Sequence, residues 1–155
     1  MKKKALTIIL ILHSYYVYSQ NNKIESFSMS KKYLKQLYQD HKFTLYCDCP
    51  YNENKPNLLS CGYMSKKNKK RANQIEWEHV VPVYAFGKSF SEWTKGHPKC
   101  VNKKGKKFKG RRCAKKTNSE FRKIHADMFN LFPVIGEINE RRSNYSMAII
   151  KGERR

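Results

Sequence analysis

The residues Glu76-Trp77-Glu78-His79-Val80-Val81-Pro82 bring together the side chains best suited to chemistry. A carboxylate is a hard oxygen ligand for a divalent cation. An imidazole, with a reference pKa of about 6.5, is neutral at working pH and can take a proton from water. Side by side, the two suit a hydrolysis in which a bound ion neutralises charge and a histidine activates the nucleophile. The alternation of apolar and polar residues over 75–81 predicts a strand. Glu76 and Glu78 then face one way and Trp77 and His79 the other, and a twist or strand end near Pro82 would bring Glu78 and His79 to one cleft. A Glu-His pair alone is more often a surface or core pair, so its company decides. Among the other histidines, His41 and His97 sit in polar surroundings and read as solvated, whereas His125 suits core, surface or catalysis equally. Trp77 and Trp93 read as core residues rather than base-stacking platforms.

The charge balance narrows the partners. The 155-residue chain carries 33 Lys and Arg against 12 Asp and Glu, a net charge of +21. Such a surface favours polyanions, nucleic acid first among them. With 39% hydrophobic and 13% aromatic residues it can bury a modest core, so full disorder is excluded and one domain is expected. Residues 66–71 hold five positive charges in six positions, and between Lys103 and Lys123 lie 11 Lys or Arg with Glu120 the single acid. The 103–123 region reads as a surface that follows phosphates.

Residues 1–19 read as a secretory signal: Lys2, Lys3 and Lys4, an apolar run from Ala5 to Leu12, and Val17 and Ser19 at the small-residue positions of a cleavage site. The apolar run is short for a membrane span, and no stable span is expected after cleavage. Removing the segment takes three lysines and no acid, which lowers the net charge from +21 to +18. Cys47, Cys49, Cys61, Cys100 and Cys113 all follow it. In an exported chain they are disulfide candidates, two bridges with one cysteine over, the pairing left open. Structural zinc is the weaker reading, because Cys47 and Cys49 have no second Cys or His pair at ligand spacing.

These residues need elements to hold them. Residues 31–40 predict a short amphipathic helix capped by Ser30, and 42–47 a strand. Residues 48–60, with Pro50 and Pro56, predict a loop. A short helix is expected over 83–95, weakened by Gly87, another over 119–129, and a third over 134–142 opened by Pro133.

The company of the Glu-His pair resembles a known family. Phe43-Thr44-Leu45-Tyr46-Cys47-Asp48-Cys49, Ser60-Cys61-Gly62-Tyr63, Arg71-Ala72, Ile75 to Pro82, Ala85-Phe86-Gly87, Gly110-Arg111, Cys113, Ala126-Asp127, Asn130-Leu131, Pro133, Gly136-Glu137-Ile138-Asn139 and Arg142-Ser143-Asn144 are similar, in order and spacing, to the secreted and periplasmic endonuclease I family. The resemblance covers residues 43–145. It implies an α+β fold, a small disulfide-stapled domain around a ββα-metal finger related to that of H-N-H nucleases, formed by residues 20–155. It also implies magnesium-dependent cutting of DNA, and often RNA, with little sequence preference; Mn²⁺ and Ca²⁺ are the substitutes to consider. By the same resemblance Glu78 and Asn139 are the metal ligands, His79 the general base, Asn130 the asparagine that helps hold the base ring, and Arg111 the phosphate contact. The local spacing Gly110-Arg111-Arg112-Cys113 is one residue shorter than usual, so Arg112 can substitute. Lys103, Lys104, Lys106, Lys107, Lys109, Arg112 and Arg142 are the expected nucleic-acid contacts.

The chain departs from the pattern at His125, where a glutamate is common, at Phe129 in place of a histidine, and at Glu140-Arg141 in place of Gly-Asp. The family has more cysteines and continues with helices that have no counterpart before Arg155. The expectation is a secreted or periplasmic monomeric endonuclease. The alternatives are a non-catalytic basic nucleic-acid binder of the same family and, less well supported, a cationic membrane-active protein, for which residues 31–40 are a short helix.

Overall fold

The computed structural model describes residues 21–146. The signal reading of residues 1–19 lies outside the described residues. Helix α1 (Phe27–Leu37) begins earlier than its apolar spacing predicts, because Ser26 supplies the cap and accepts from Met29 N. Ser30 instead lies inside the helix, fully buried, and its hydroxyl donates to Ala126 O at 2.5 Å. That contact fastens α1 to the end of a helix almost a hundred residues away.

The strand expected over 42–47 is a turn. Phe43 makes a single bridge to Pro50, and Thr44 closes a loop through three hydrogen bonds, two with Cys49 and one with Asp48: Thr44 N to Cys49 O, Cys49 N to Thr44 Oγ1, and Asp48 N to Thr44 O. A threonine hydroxyl that bonds nearby backbone competes with a sheet ladder. The 48–60 stretch, expected as loop, contains a minimal hairpin of β1 (Tyr51–Asn52) and β2 (Lys55–Pro56). Helix α2 (Lys69–Ala72) follows, capped by Asn68, and leads into β3 (Ile75–His79).

The helix expected over 83–95 is two: α3 (Val83–Gly87) and α4 (Ser91–Thr94). Gly87 lies so close to the Trp93 ring that an added Cβ would be 2.6 Å from it. Helices α5 (Arg111–Thr117) and α6 (Ser119–His125) come next, with Asn118 capping α6. The helical spacing over 119–129 ends at His125, where Asp127 caps a separate 3-10 turn, Met128–Asn130.

Pro133 does not open a helix. It lies in the middle of β4 (Leu131–Ile135), opposite Trp77 in the register of β3, and its carbonyl accepts from Leu45 N on the outer edge. A proline is tolerated there because that edge asks for no N–H toward β3. Helix α7 (Gly136–Arg142) starts directly after β4. The antiparallel β3–β4 pair runs from Ile75↔Ile135 to His79↔Leu131, and α7 packs back on both strands.

The result is a mixed α and β domain with two small sheets and two disulfides, Cys49–Cys61 and Cys100–Cys113. Loop lengths of 12 and 13 residues make each bridge worth about 3 kcal/mol in the chain-entropy picture. Cys47, half-buried, lies beside the first bridge and outside both. One core cluster gathers Cys49, Ala72 and Ile135, and a second gathers Val83, Ala114 and Phe121 under Phe86, Phe90 and Trp93. Among the described residues no helix is long and apolar enough to cross a membrane.

Candidate active site

Strand β3 delivers Glu76, Glu78 and His79 to the wall of a cleft of about 980 Å³. Asn139 and Arg142 come from α7, Arg111 from the start of α5, and Phe27 and Lys31 from α1. Residues far apart in the chain thus line one cleft because β4 pairs with β3 and turns at once into α7.

His79 is 8% exposed. Its ring stacks on Phe27 at a centroid distance of 5.3 Å and lies 4.9 Å from the His125 ring. Nε2 is 2.9 Å from the carbonyl oxygen of His125. A carbonyl only accepts, so Nε2 carries the proton and Nδ1 keeps its lone pair. Burial pushes the His79 pKa down to about 4, against the opposing His125 hydrogen bond and with help from Arg111, Arg142 and Lys115. The imidazole is therefore neutral near pH 7, the state that a general base requires. His125 is buried too, and burial with the neighbouring His79 lowers its pKa to about 3.

Glu78 is 3% exposed. Its Oε1 lies 2.9 Å from an Arg142 guanidinium nitrogen and 3.5 Å from the Tyr46 hydroxyl. Burial raises the Glu78 pKa, and Arg142 works against that rise. Arg142 also donates to His79 O at 2.8 Å and to Val80 O, while its Nε is buried without a hydrogen-bond partner. Expected as a nucleic-acid contact, Arg142 instead has a side chain only 10% exposed and braces the end of β3 from within. The reason is the length of α7, whose last turn ends beside His79.

Asn139 donates from Nδ2 to Glu76 Oε2 at 2.8 Å. Glu76 is gripped by Arg71, Nε to Oε1 at 2.8 Å and a terminal nitrogen to Oε2 at 2.6 Å. A carboxylate only accepts, so the amide presents NH₂ to Glu76 and turns its oxygen the other way. Glu78 and Asn139 are thus two oxygen donors on one cleft. Among the described residues no group of three or more His, Cys, Asp or Glu is placed to hold a metal ion.

The Asn130 amide is engaged with backbone at the end of β3. It accepts from Val81 N at 2.7 Å and donates to Val81 O at 3.0 Å, so it clips the chain just past β3, and the His79 ring is held by the His125 carbonyl. Lys103, Lys104, Lys106, Lys107 and Lys109 are exposed on the loop closed by Cys100–Cys113, away from the cleft lining. Arg112 lies over the Phe108 ring at 4.3 Å on that same loop, and Arg111 is the one of the two arginines that lines the cleft.

The model of the family described as Endonuclease I matches residues 3–154. The chain belongs to the endonuclease I family. It is 45% identical over 125 residues to an extracellular deoxyribonuclease of Aeromonas hydrophila, covering 78% of this chain and 49% of that protein. It is 39% identical to a periplasmic deoxyribonuclease of the same organism, over 86% of this chain and 52% of the relative. An Endonuclease-1 of Buchnera aphidicola subsp. Baizongia pistaciae is 43% identical over 78% of this chain and 45% of its own length. The chain spans about half the length of these curated relatives.

Within this endonuclease I chain, sequence reading missed Glu76 as the partner of Asn139, Arg71 as the cation that grips Glu76, Phe27 as the ring under His79, and the carbonyl of His125. Glu76 had a legible signal, since it alternates with Glu78 on one strand. A backbone carbonyl has none.

Proposed function

We propose that this chain is a secreted or periplasmic metal-dependent endonuclease that hydrolyses phosphodiester bonds in DNA, with RNA as a second substrate and little sequence preference. The observation that carries the reading is the convergence of Glu78, Asn139 and a neutral, oriented His79 on one cleft. β3, β4 and α7 form the ββα unit of the site. Glu78 and the Asn139 amide oxygen would hold a magnesium ion: both are hard oxygen donors, and two protein ligands leave room for water and phosphate, as magnesium prefers. Bound there, the ion would supply charge neutralisation at the phosphate and the leaving oxygen.

The chain's own residues do the rest. The His125 carbonyl fixes the His79 ring, and Nδ1 takes the proton from the attacking water. Arg111 clamps phosphate oxygens through paired N–H donors. The lysine-rich loop follows the backbone and reads no bases, which gives low specificity and steep salt dependence. Export is supported by the basic and apolar start, by two disulfides, and by relatives named for extracellular and periplasmic enzymes.

The test is plasmid cleavage by the purified chain with magnesium, repeated with EDTA and with His79→Ala. EDTA should abolish nicking and His79→Ala should slow it strongly, and undiminished cutting in either overturns the mechanism. Retention of DNA without scission across several divalent metals would mean a binder, not an enzyme.

A further inference from the structure

Beside the catalytic cleft lies a second hollow of about 500 Å³, whose walls include Tyr38, Tyr51 and Trp77 with Lys35 and Lys42. The two spaces are adjacent, because Lys35, Asn54, Ile75 and Trp77 line both. Trp77 immediately precedes Glu78 on β3, so the aromatic hollow opens within a residue or two of the reacting groups. Tyr38 and Trp77 meet edge to face, centroids 5.5 Å apart and planes at 68°, which makes a corner rather than a flat stack.

All three rings are half-buried, unlike the fully buried Phe121 of the core. They therefore keep surface for a guest. The sequence reading of Trp77 as a core residue accounts for only part of its position. Two lysines against Glu53 as the lining acid leave the hollow's rim positive, which suits a guest that carries phosphate.

We propose that this hollow is a subsite for an unpaired nucleobase of the strand whose phosphate occupies the cleft. The base stacks on an aromatic face while Lys35 and Lys42 hold flanking phosphates. This rests on the nuclease reading for the path of the strand. Bases of an intact duplex are stacked on one another and cannot lie on a protein ring, so the subsite favours single-stranded, frayed or flipped segments. Every base offers a π-face, so it adds affinity without sequence preference.

The experiment measures binding in EDTA, where no cutting intervenes. A short oligothymidylate is compared with an abasic phosphodiester strand of equal length and charge. The unmodified chain should bind the base-bearing strand about tenfold more tightly, in line with the stacking worth of one base. Tyr38→Leu and Tyr51→Leu keep apolar bulk and should shrink that preference, while leaving affinity for the abasic strand unchanged. Equal binding of the two strands by the unmodified chain overturns the proposal, whatever the variants do. So does a full preference retained in both variants. Because the readout needs neither metal nor turnover, absence of nuclease activity would strike the catalytic reading and leave this one standing, and the converse also holds.

Discussion

Asn139 Nδ2 lies 2.8 Å from Glu76 Oε2, and this one hydrogen bond decides which end of the Asn139 amide is turned from the carboxylate. Glu76 is in turn immobilised by two bonds from Arg71. Gly136 makes room for it: an added Cβ would lie 2.6 Å from Glu76 Oε1 and 2.8 Å from Arg71 O. The metal-binding oxygen of the proposed site is thus oriented from outside the ligand pair.

Glu76→Gln tests that orientation. A glutamine can offer either an oxygen or an NH₂ to Asn139, so the amide loses its fixed sense. Magnesium affinity, read by calorimetry in the absence of DNA, should fall about 10–100-fold. Unchanged affinity would show that Glu76 serves the fold alone.

His79→Ala should lower the cleavage rate by about 10²–10⁴-fold, the usual worth of a positioned acid–base group. DNA affinity in EDTA should stay the same, because the proposed phosphate contacts are Arg111 and the lysine-rich loop. A parallel loss of binding would mean that the imidazole holds substrate instead.

Arg142→Met leaves the Glu78 carboxylate buried without its cation. Both side chains are at most 10% exposed, so solvent does little to compensate. The expected cost is about 3–5 kcal/mol in urea denaturation, and the double variant Arg142→Met with Glu78→Gln should recover part of it. A cost near zero would contradict the internal role given to Arg142.

Acid stability should depend on Glu137. Its fully buried carboxylate accepts from Asn68 N at 2.8 Å, Lys67 N at 2.5 Å, Lys66 N at 3.2 Å and the Tyr63 hydroxyl at 3.0 Å. Those donors, the Asn68 N–H foremost, hold its pKa down to about 2 from an ordinary 4.5. A depressed carboxylate stabilises the fold fully above its unfolded pKa and loses that contribution as pH falls through the folded one. Thermal unfolding followed from pH 5 to pH 2 should therefore show a falling Tm, and Glu137→Gln should flatten the fall. An unchanged slope in the variant would assign acid sensitivity elsewhere.

What the amino-acid sequence determined by itself was local or compositional. Strand alternation is a property of successive residues, so β3 and the adjacency of Glu78 and His79 were legible before any fold. The charge excess pointed to polyanions as the first class of partner to consider, and the ordered motifs named the family. Tertiary structure decided the rest. Pro133 looks like a helix opener until an edge position in β4 makes its missing N–H harmless. Residues 42–47 carry strand-like side chains, yet Thr44 bonds Cys49 and the segment turns. Which cysteines pair, which nitrogen of His79 holds the proton, and which way the Asn139 amide faces all depend on groups distant along the chain. Side-chain type records what a residue can do. Only the packing of β3, β4 and α7 supplies the acceptor, the cation or the ring that makes it do one thing, because hydrogen bonding and burial act through space and leave no period in the sequence.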